Sequence, residues 1–234
     1  MSHTVIFTGG SAPEKSVFER YCRHHGRADF VVAADSGLET ALLFEAEPDV
    51  IVGDMDSISD KSVLKNRAGK IEVFPCDKDF SDTELALSCA IKHESSSWIT
   101  LVGGGGGRID HFLSIFDIFS SPSKNFPSDF RPMDVWLPGG DGVFQSLYFL
   151  PDGKTLFVSD ISESDYISVC RTSRDFSSGR VETRGLQWSG DVFRREGMPS
   201  LSNRISSESK TAELSAHGAD FVVIVPREAS CRRR

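Results

Sequence analysis

Three acidic segments carry the chemistry that this chain could do: GDMDS at 53–57, DKDFSDTE at 77–84 and GGGGGRIDH at 103–111. They set Asp54, Asp56, Asp77, Asp79, Asp82 and Asp110 beside loops, each just after an apolar, β-rich run. If these carboxylates converge, their repulsion raises pKa values and costs stability unless Mg²⁺ or a similar hard ion neutralises them. The glycine run and Arg108 say what such an ion would carry. Bare backbone amides between a strand and a helix can cradle phosphate oxygens, and Arg108 and Lys78 are natural phosphate clamps, one as a fork and one as a point charge.

The elements that must position these groups follow from the hydrophobic pattern. Over the first 120 or so residues, β-branched runs alternate with helical patterns: VIFTGG at 5–10, FVVAAD at 30–35, DVIVGD at 49–54, KIEVFP at 70–75 and WITLVG at 98–103. Strands alternating with helices predict a parallel sheet covered on both faces, an α/β domain. Ser11 with Glu14 and Ser81 with Glu84 have capping-box spacing, and Val17, Phe18 and Tyr21, then Leu38, Ala41 and Leu42, share helical faces. Phe112, Phe116 and Phe119 stripe a further helix, as core packing would. The proline- and serine-rich stretch at 120–132 breaks this rhythm as a linker or long loop would, and MDVWLP at 133–138 still suits the first sheet. Beyond it come short runs such as QSLYFL, KTLFVSD, YISVCR, RVETRGLQW and DFVVIVP without helical periodicity, which predict an antiparallel β-sandwich. The expected domains are therefore 1–138 and 139–234.

Composition narrows the function classes. With 39% hydrophobic residues the chain of 234 can bury a real core, and a net charge of −8 with scattered basic residues argues against nucleic-acid binding. Five cysteines, an odd number without a close pair, suggest neither a disulfide framework nor a thiolate zinc site. No apolar run approaches a membrane span and no targeting pattern precedes the first strand, so a cytoplasmic protein is expected.

Each motif also has a plainer reading. Asp54 and Asp56 could shape a turn, and Asp79 and Asp82 could be helix-entry residues facing the positive end of the dipole. The glycine run is no Walker loop, since no Lys-Ser/Thr follows, and Arg108 takes the place of the last glycine of a dinucleotide fingerprint. His111 reads as a packed helix residue. In open parallel sheets, however, ligands bind outside the carboxyl ends of the strands, where Asp35, Asp54, Asp77 and the glycines would all lie.

AADSG at 33–37, GDMDS, DKDFSDTELAL at 77–87 and GGGGGRIDH, followed by GLQW at 185–188 and LSNR at 201–204, resemble the ordered signature of thiamine pyrophosphokinases. The resemblance implies an α/β domain followed by a β-sandwich domain, a homodimer with a shared active site, and Mg²⁺-dependent transfer of pyrophosphate from ATP to thiamine. It assigns Mg²⁺ to Asp54, Asp56 and Asp82, and catalysis to these with Asp110. Asp35, Ser36, Asp77, Lys78, Asp79, Ser81, Gly105, Gly106 and Arg108 fall on the nucleotide side, with Asp110 also towards thiamine. Trp188 matches the tryptophan that stacks on the thiamine pyrimidine from the partner subunit, and Ser202 and Asn203 match polar positions near that ring. Without the resemblance, Trp188 would be read as sandwich core. Ser36 stands where the family usually has a second glycine, Ser81 replaces a usual threonine, and Arg204 after Ser-Asn is a further departure. Two other readings remain: a metal-dependent phosphoesterase, for which Phe112 stands where a second histidine is needed, and a non-catalytic nucleotide or thiamine sensor.

Overall fold

Apolar runs that are hydrophobic on both faces must be covered on both faces, and the first half of the chain obeys this rule. In this computed structural model, which describes residues 2–64, 70–73, 79–93, 96–120, 135–140, 145–172, 179–191 and 200–234, two compact units form. The first comprises Met1–Ile118 with Pro122–Val143, and the second Phe119–Ser121 with Phe144–Arg234. Asp77, Lys78 and the linker-like stretch from 121 to 132 lie outside the described residues.

Among its described residues the first unit holds six strands, β1 (Ser2–Phe7), β2 (Phe30–Ala34), β3 (Val50–Gly53), β4 (Lys70–Val73), β5 (Ser96–Val102) and β6 (Val135–Leu137). All pair in parallel, in the order β4-β3-β2-β1-β5-β6. From β1 the chain steps outward through β2, β3 and β4, then returns to the other side of β1 for β5 and β6. The loops leaving β1 and β5 therefore diverge and open a crevice at their carboxyl ends.

Among the described residues four α-helices accompany the sheet: α1 (Lys15–His25), α2 (Gly37–Leu43), α3 (Asp82–Lys92) and α4 (Ile109–Ser120). Helix α1 buries Val17, Phe18 and Tyr21, and the rings of Phe7, Phe18 and Phe44 meet at centroid separations of 5.3–6.0 Å. Helix α3 buries Ala86, Leu87 and Ala90, and its capping box is complete: the Glu84 amide donates to Ser81 Oγ at 3.3 Å and the Ser81 amide to Glu84 Oε2 at 2.7 Å. The box expected at Ser11 and Glu14 does not form. Pro13 disfavours helical backbone at the residue before it, so α1 starts only at Lys15, and the Ser11 amide donates to the Gly105 carbonyl instead, at 2.9 Å.

Apart from the end of α4, the regular elements described in the second unit are strands, which form an antiparallel sandwich-like domain of two sheets. One orders β12 (Ser200–Asn203), β9 (Ile167–Arg171), β14 (Phe221–Pro226) and β7 (Gln145–Leu150). The other orders β11 (Gly190–Asp191), β10 (Arg180–Arg184), β13 (Ala212–His217), β8 (Thr155–Ser159) and β15 (Ser230–Arg233). In β8 and β13 every second side chain is buried, the mark of a strand with one face inward. The sequence reading missed β11, β12, β13 and β15, whose small and polar residues carry little β signal. Among the described residues no helix is long and apolar enough to cross a membrane.

One buried polar chain crosses the first sheet. The Trp98 indole, which can only donate, bonds Tyr21 Oη at 2.7 Å; Tyr21 meets Thr100 Oγ1 at 2.6 Å, and Thr100 meets His3 Nε2 at 2.9 Å. A donor-only start directs each hydroxyl onward, so His3 accepts at Nε2 and stays neutral. Burial, opposed by the nearby Gly26 and Arg27 backbone and by Asp29, lowers its pKa from 6.5 to about 4. The unfolded chain thus binds a proton between these values that the folded chain refuses, so this contribution to stability is present above pH 6.5 and is lost as pH falls towards 4. Denaturant titrations across that window are expected to show the native protein losing about 3 kcal/mol more than a His3→Gln variant. Parallel pH profiles would refute the assignment.

Candidate active site

The GDMDS turn owes its shape to the residue between its aspartates. Met55, at φ 60°, is 5% exposed and packs with Ala33, Leu38, Ile51 and Ile58. Anchoring Met55 inward turns Asp54 and Asp56 outward, and the Asp56 amide donates to Asp54 Oδ1 at 3.1 Å. The turn-forming reading is therefore correct for this pair, yet Asp54 does more. One carboxylate oxygen each from Asp35, Asp54 and Asp82 lies within 4.8 Å of the others. Asp35 directly follows β2, Asp54 follows β3, and Asp82 opens α3, so three elements deliver one carboxylate each.

Glycine at 53 permits this approach. Its φ is 135°, and a side chain there would meet Asp35 Cβ at 3.1 Å and Asp82 Oδ1 at 3.2 Å. Asp35 is itself held at φ 46°, its amide donating to the Val52 carbonyl at 2.8 Å. Non-glycine residues in the left-handed region cost energy and gather at functional sites. Burial raises the Asp35 pKa; the nearby Ser57 hydroxyl and the Ser36 amide oppose this, and the charges of Asp82 and Asp54 add to it. Asp35 Oδ1 is buried and meets no hydrogen-bond partner among the described residues. Three clustered carboxylates with one unsatisfied oxygen make a donor set that could hold a hard cation.

The cluster faces a cleft of about 560 Å³ at the point where the strand order reverses. Gly9 and Gly10 after β1 and Gly104, Gly105 and Gly107 after β5 also line it. The amides of Gly103 and Gly104 are used within the fold, bonding the carbonyls of Leu137 and Gly9 at 3.1 and 2.8 Å. Those of Gly106 and Gly107 meet no acceptor among the described residues and precede the N-terminus of α4. At Gly105 a side chain would lie 2.1 Å from the Gly139 carbonyl oxygen, so only glycine fits.

The remaining expected residues divide. Ser36, Ser81 and Arg108 line the cleft. Arg108 forks onto Asp110, Nε to Oδ1 at 3.1 Å with Nη2 on Oδ2, both side chains largely exposed; this pair lowers the Asp110 pKa and raises that of Arg108. Asp56 is exposed and accepts from the Ser57 hydroxyl at 2.9 Å, and Asp79 is exposed ahead of α3; neither joins the three-carboxylate group. Sequence reasoning missed Thr8, Phe80 and Thr83. The Thr8 and Thr83 hydroxyls, 2.7 Å apart, tie the end of β1 to the start of α3, while Phe80 is 46% exposed at the rim. A threonine followed by two glycines at the end of the first strand was the available signal.

In the second unit Trp188 is 59% exposed, which corrects the sandwich-core reading. Asn203 is 2% exposed beneath it, and Ser202, at φ 60°, donates its amide to Ser168 Oγ at 3.1 Å.

An α/β unit with a cleft at its switch point belongs to the class of open parallel-sheet proteins that bind ligands outside the carboxyl ends of their strands. Comparison with known proteins specifies it. Residues 21–126 match the family model of the thiamin pyrophosphokinase catalytic domain. Over these residues the chain is similar to the thiamine pyrophosphokinase family. No curated protein matches. Among solved structures, a thiamin pyrophosphokinase family protein from Enterococcus faecalis is 20% identical with a TM-score of 0.69, covering 97% of this chain and 99% of the other. The thiamine pyrophosphokinase from Bacillus subtilis is 18% identical at TM-score 0.69, with 97% and 99% covered. That from Candida albicans is 16% identical at TM-score 0.70, with 96% and 89% covered. At these identities the likeness is one of fold.

The repulsion within the cluster has a measurable cost. In EDTA, Asp35→Asn should stabilise the protein by about 1 kcal/mol in thermal or denaturant unfolding, because it removes a buried like charge but keeps an acceptor for the Ser36 amide. A destabilised variant would show that the carboxylates are held by donors rather than in conflict.

Proposed function

We propose that this protein transfers the pyrophosphoryl group of ATP to the hydroxyl of thiamine, giving thiamine pyrophosphate and AMP. The observation that carries the reading is the convergence of Asp35, Asp54 and Asp82 on a cleft that Gly104, Gly105, Gly107 and Arg108 also line. The buried, unpartnered Asp35 oxygen fits a hard divalent ion, and the proposed Mg²⁺ set is therefore Asp35, Asp54 and Asp82, with Asp56 shaping the turn. When bound, Mg²⁺ would supply charge neutralisation at the phosphate oxygens.

The chain's own residues do the positioning. The amides of Gly106 and Gly107 and the start of α4 orient the phosphates. Arg108 exchanges the Asp110 carboxylate for a phosphate oxygen, an easy exchange because an exposed ion pair is weak. The thiamine oxygen bonds to the β-phosphorus, the bond from that phosphorus to the α,β-bridging oxygen breaks, AMP leaves, and the hydroxyl proton is released. Transfers of this type depend mainly on alignment and charge neutralisation. The exposed Trp188 serves as the platform for the thiamine ring, at the cleft of a second copy in a homodimer, which light scattering would detect.

Incubation with thiamine, ATP and Mg²⁺ should yield thiamine pyrophosphate and equimolar AMP, abolished by EDTA, and Asp54→Asn should slow turnover by about 10²-fold or more. Thiamine monophosphate with ADP would overturn attack at the β-phosphorus, free phosphate alone would indicate a hydrolase, and ligand-induced stabilisation without turnover would indicate a sensor.

Trp188→Ala should raise the thiamine KM by an amount corresponding to roughly 0.5–2 kcal/mol while leaving the ATP KM nearly unchanged. Equal rises in both would contradict a stacking role.

A further inference from the structure

Asn203 stands at the end of β12 with its side chain almost wholly inside the protein, 2% exposed. Its Oδ1 accepts from the amides of Trp188, at 3.2 Å, and Arg204, at 2.9 Å, while its Nδ2 donates to the Trp188 carbonyl at 3.0 Å. One side chain thus grips both main-chain groups of a residue 15 positions away. The loop around Trp188 is closed from two more sides. Thr183, 1% exposed, donates to the Gly190 carbonyl at 3.2 Å, and Ser189 Oγ accepts from the Leu186 amide at 3.2 Å and donates to its carbonyl at 2.7 Å. Gly185 at φ 74°, where a side chain would strike the Thr211 carbonyl oxygen at 2.2 Å, fixes the entry to the loop.

The Trp188 indole, by contrast, is 59% exposed and makes no hydrogen bond or ring contact among the described residues. Its backbone is clamped and its side chain presented. An amide whose oxygen already takes two donors, and whose nitrogen bonds a carbonyl, has little left to offer a ligand. Holding a ring platform in place before binding removes the cost of ordering it during binding.

We propose that Asn203 is a positioning residue that clips the Trp188 main chain and so presents the exposed indole as a preformed platform for a flat cationic ring, rather than a residue that touches that ring. The identity of the ring rests on the pyrophosphokinase reading; the clip does not. Asn203→Asp keeps the size and the accepting oxygen but turns an oxygen towards the Trp188 carbonyl in place of the donor.

Amide hydrogen exchange of Trp188 in the protein without thiamine should accelerate by about tenfold or more in Asn203→Asp while amides of β10 and β13 keep their protection. Thiamine affinity, measured by calorimetry, should fall by roughly 2- to 30-fold, as in Trp188→Ala, with the ATP KM unchanged. The double variant should bind no more weakly than Trp188→Ala alone, because a residue acting through Trp188 has nothing further to lose. Multiplied losses in the double variant, or unchanged Trp188 exchange, would overturn the proposal. Should Asn203→Asp fail to fold, Thr183→Val removes one hydroxyl from the same loop and is expected to speed Trp188 exchange to a smaller degree; no change would again overturn it. If the native protein binds no thiamine at all, the pyrophosphokinase reading fails, and the exchange measurements still decide the clip.

Discussion

Three carboxylate oxygens within 4.8 Å of one another repel, and the rest of the first unit is arranged so that they must nevertheless meet. No one of the three could be drawn there by attraction to the others. Each is delivered by packing: Asp35 by the buried β2, Asp54 by the inward anchor of Met55, and Asp82 by a helix whose cap is fixed at Ser81. Burial of Val32, Ala33, Ile51, Val52, Ala86 and Leu87, all 3% exposed or less, supplies free energy that outweighs the conflict. The left-handed backbone of Asp35 and Met55 and the bare Cα of Gly53 are the local marks of that imposed approach.

The strand order decides where this acidic group faces. Because β1 and β5 are neighbours while their chains leave in opposite directions, two glycine-bearing turns meet at the crevice, and Ser11 pairs with Gly105 through the backbone to hold them together. The result is a cleft lined both by carboxylates and by glycine backbone. In the second unit the same division of labour recurs on a smaller scale, with Asn203, Thr183 and Ser189 committed to the main chain so that one aromatic side chain stays outside.

The parallel α/β order and the later sandwich-like domain were legible because hydrophobic periodicity is local and strong in VIFTGG, FVVAAD and WITLVG. The Ser81 box was legible for the same reason, and the Ser11 box misled because Pro13 and a distant partner, Gly105, both act on the same residues. Strands such as β12 and β13 escaped notice since Ser200–Asn203 and Ala212–His217 acquire their extended form from neighbouring strands rather than from their own residues.

The sequence by itself determined which residue types were at hand: a set of aspartates after β-rich runs, a glycine run ahead of a helix, and a tryptophan with a serine–asparagine pair further on. Only the tertiary structure decided that Asp35 joins Asp54 and Asp82 while Asp56 stays in the turn, that Arg108 rests on Asp110, and that Asn203 serves the backbone of Trp188. The physical reason is common to all three. Spacing along a chain limits what can meet, but which oxygen faces which donor depends on backbone angles and on burial set by residues tens of positions away.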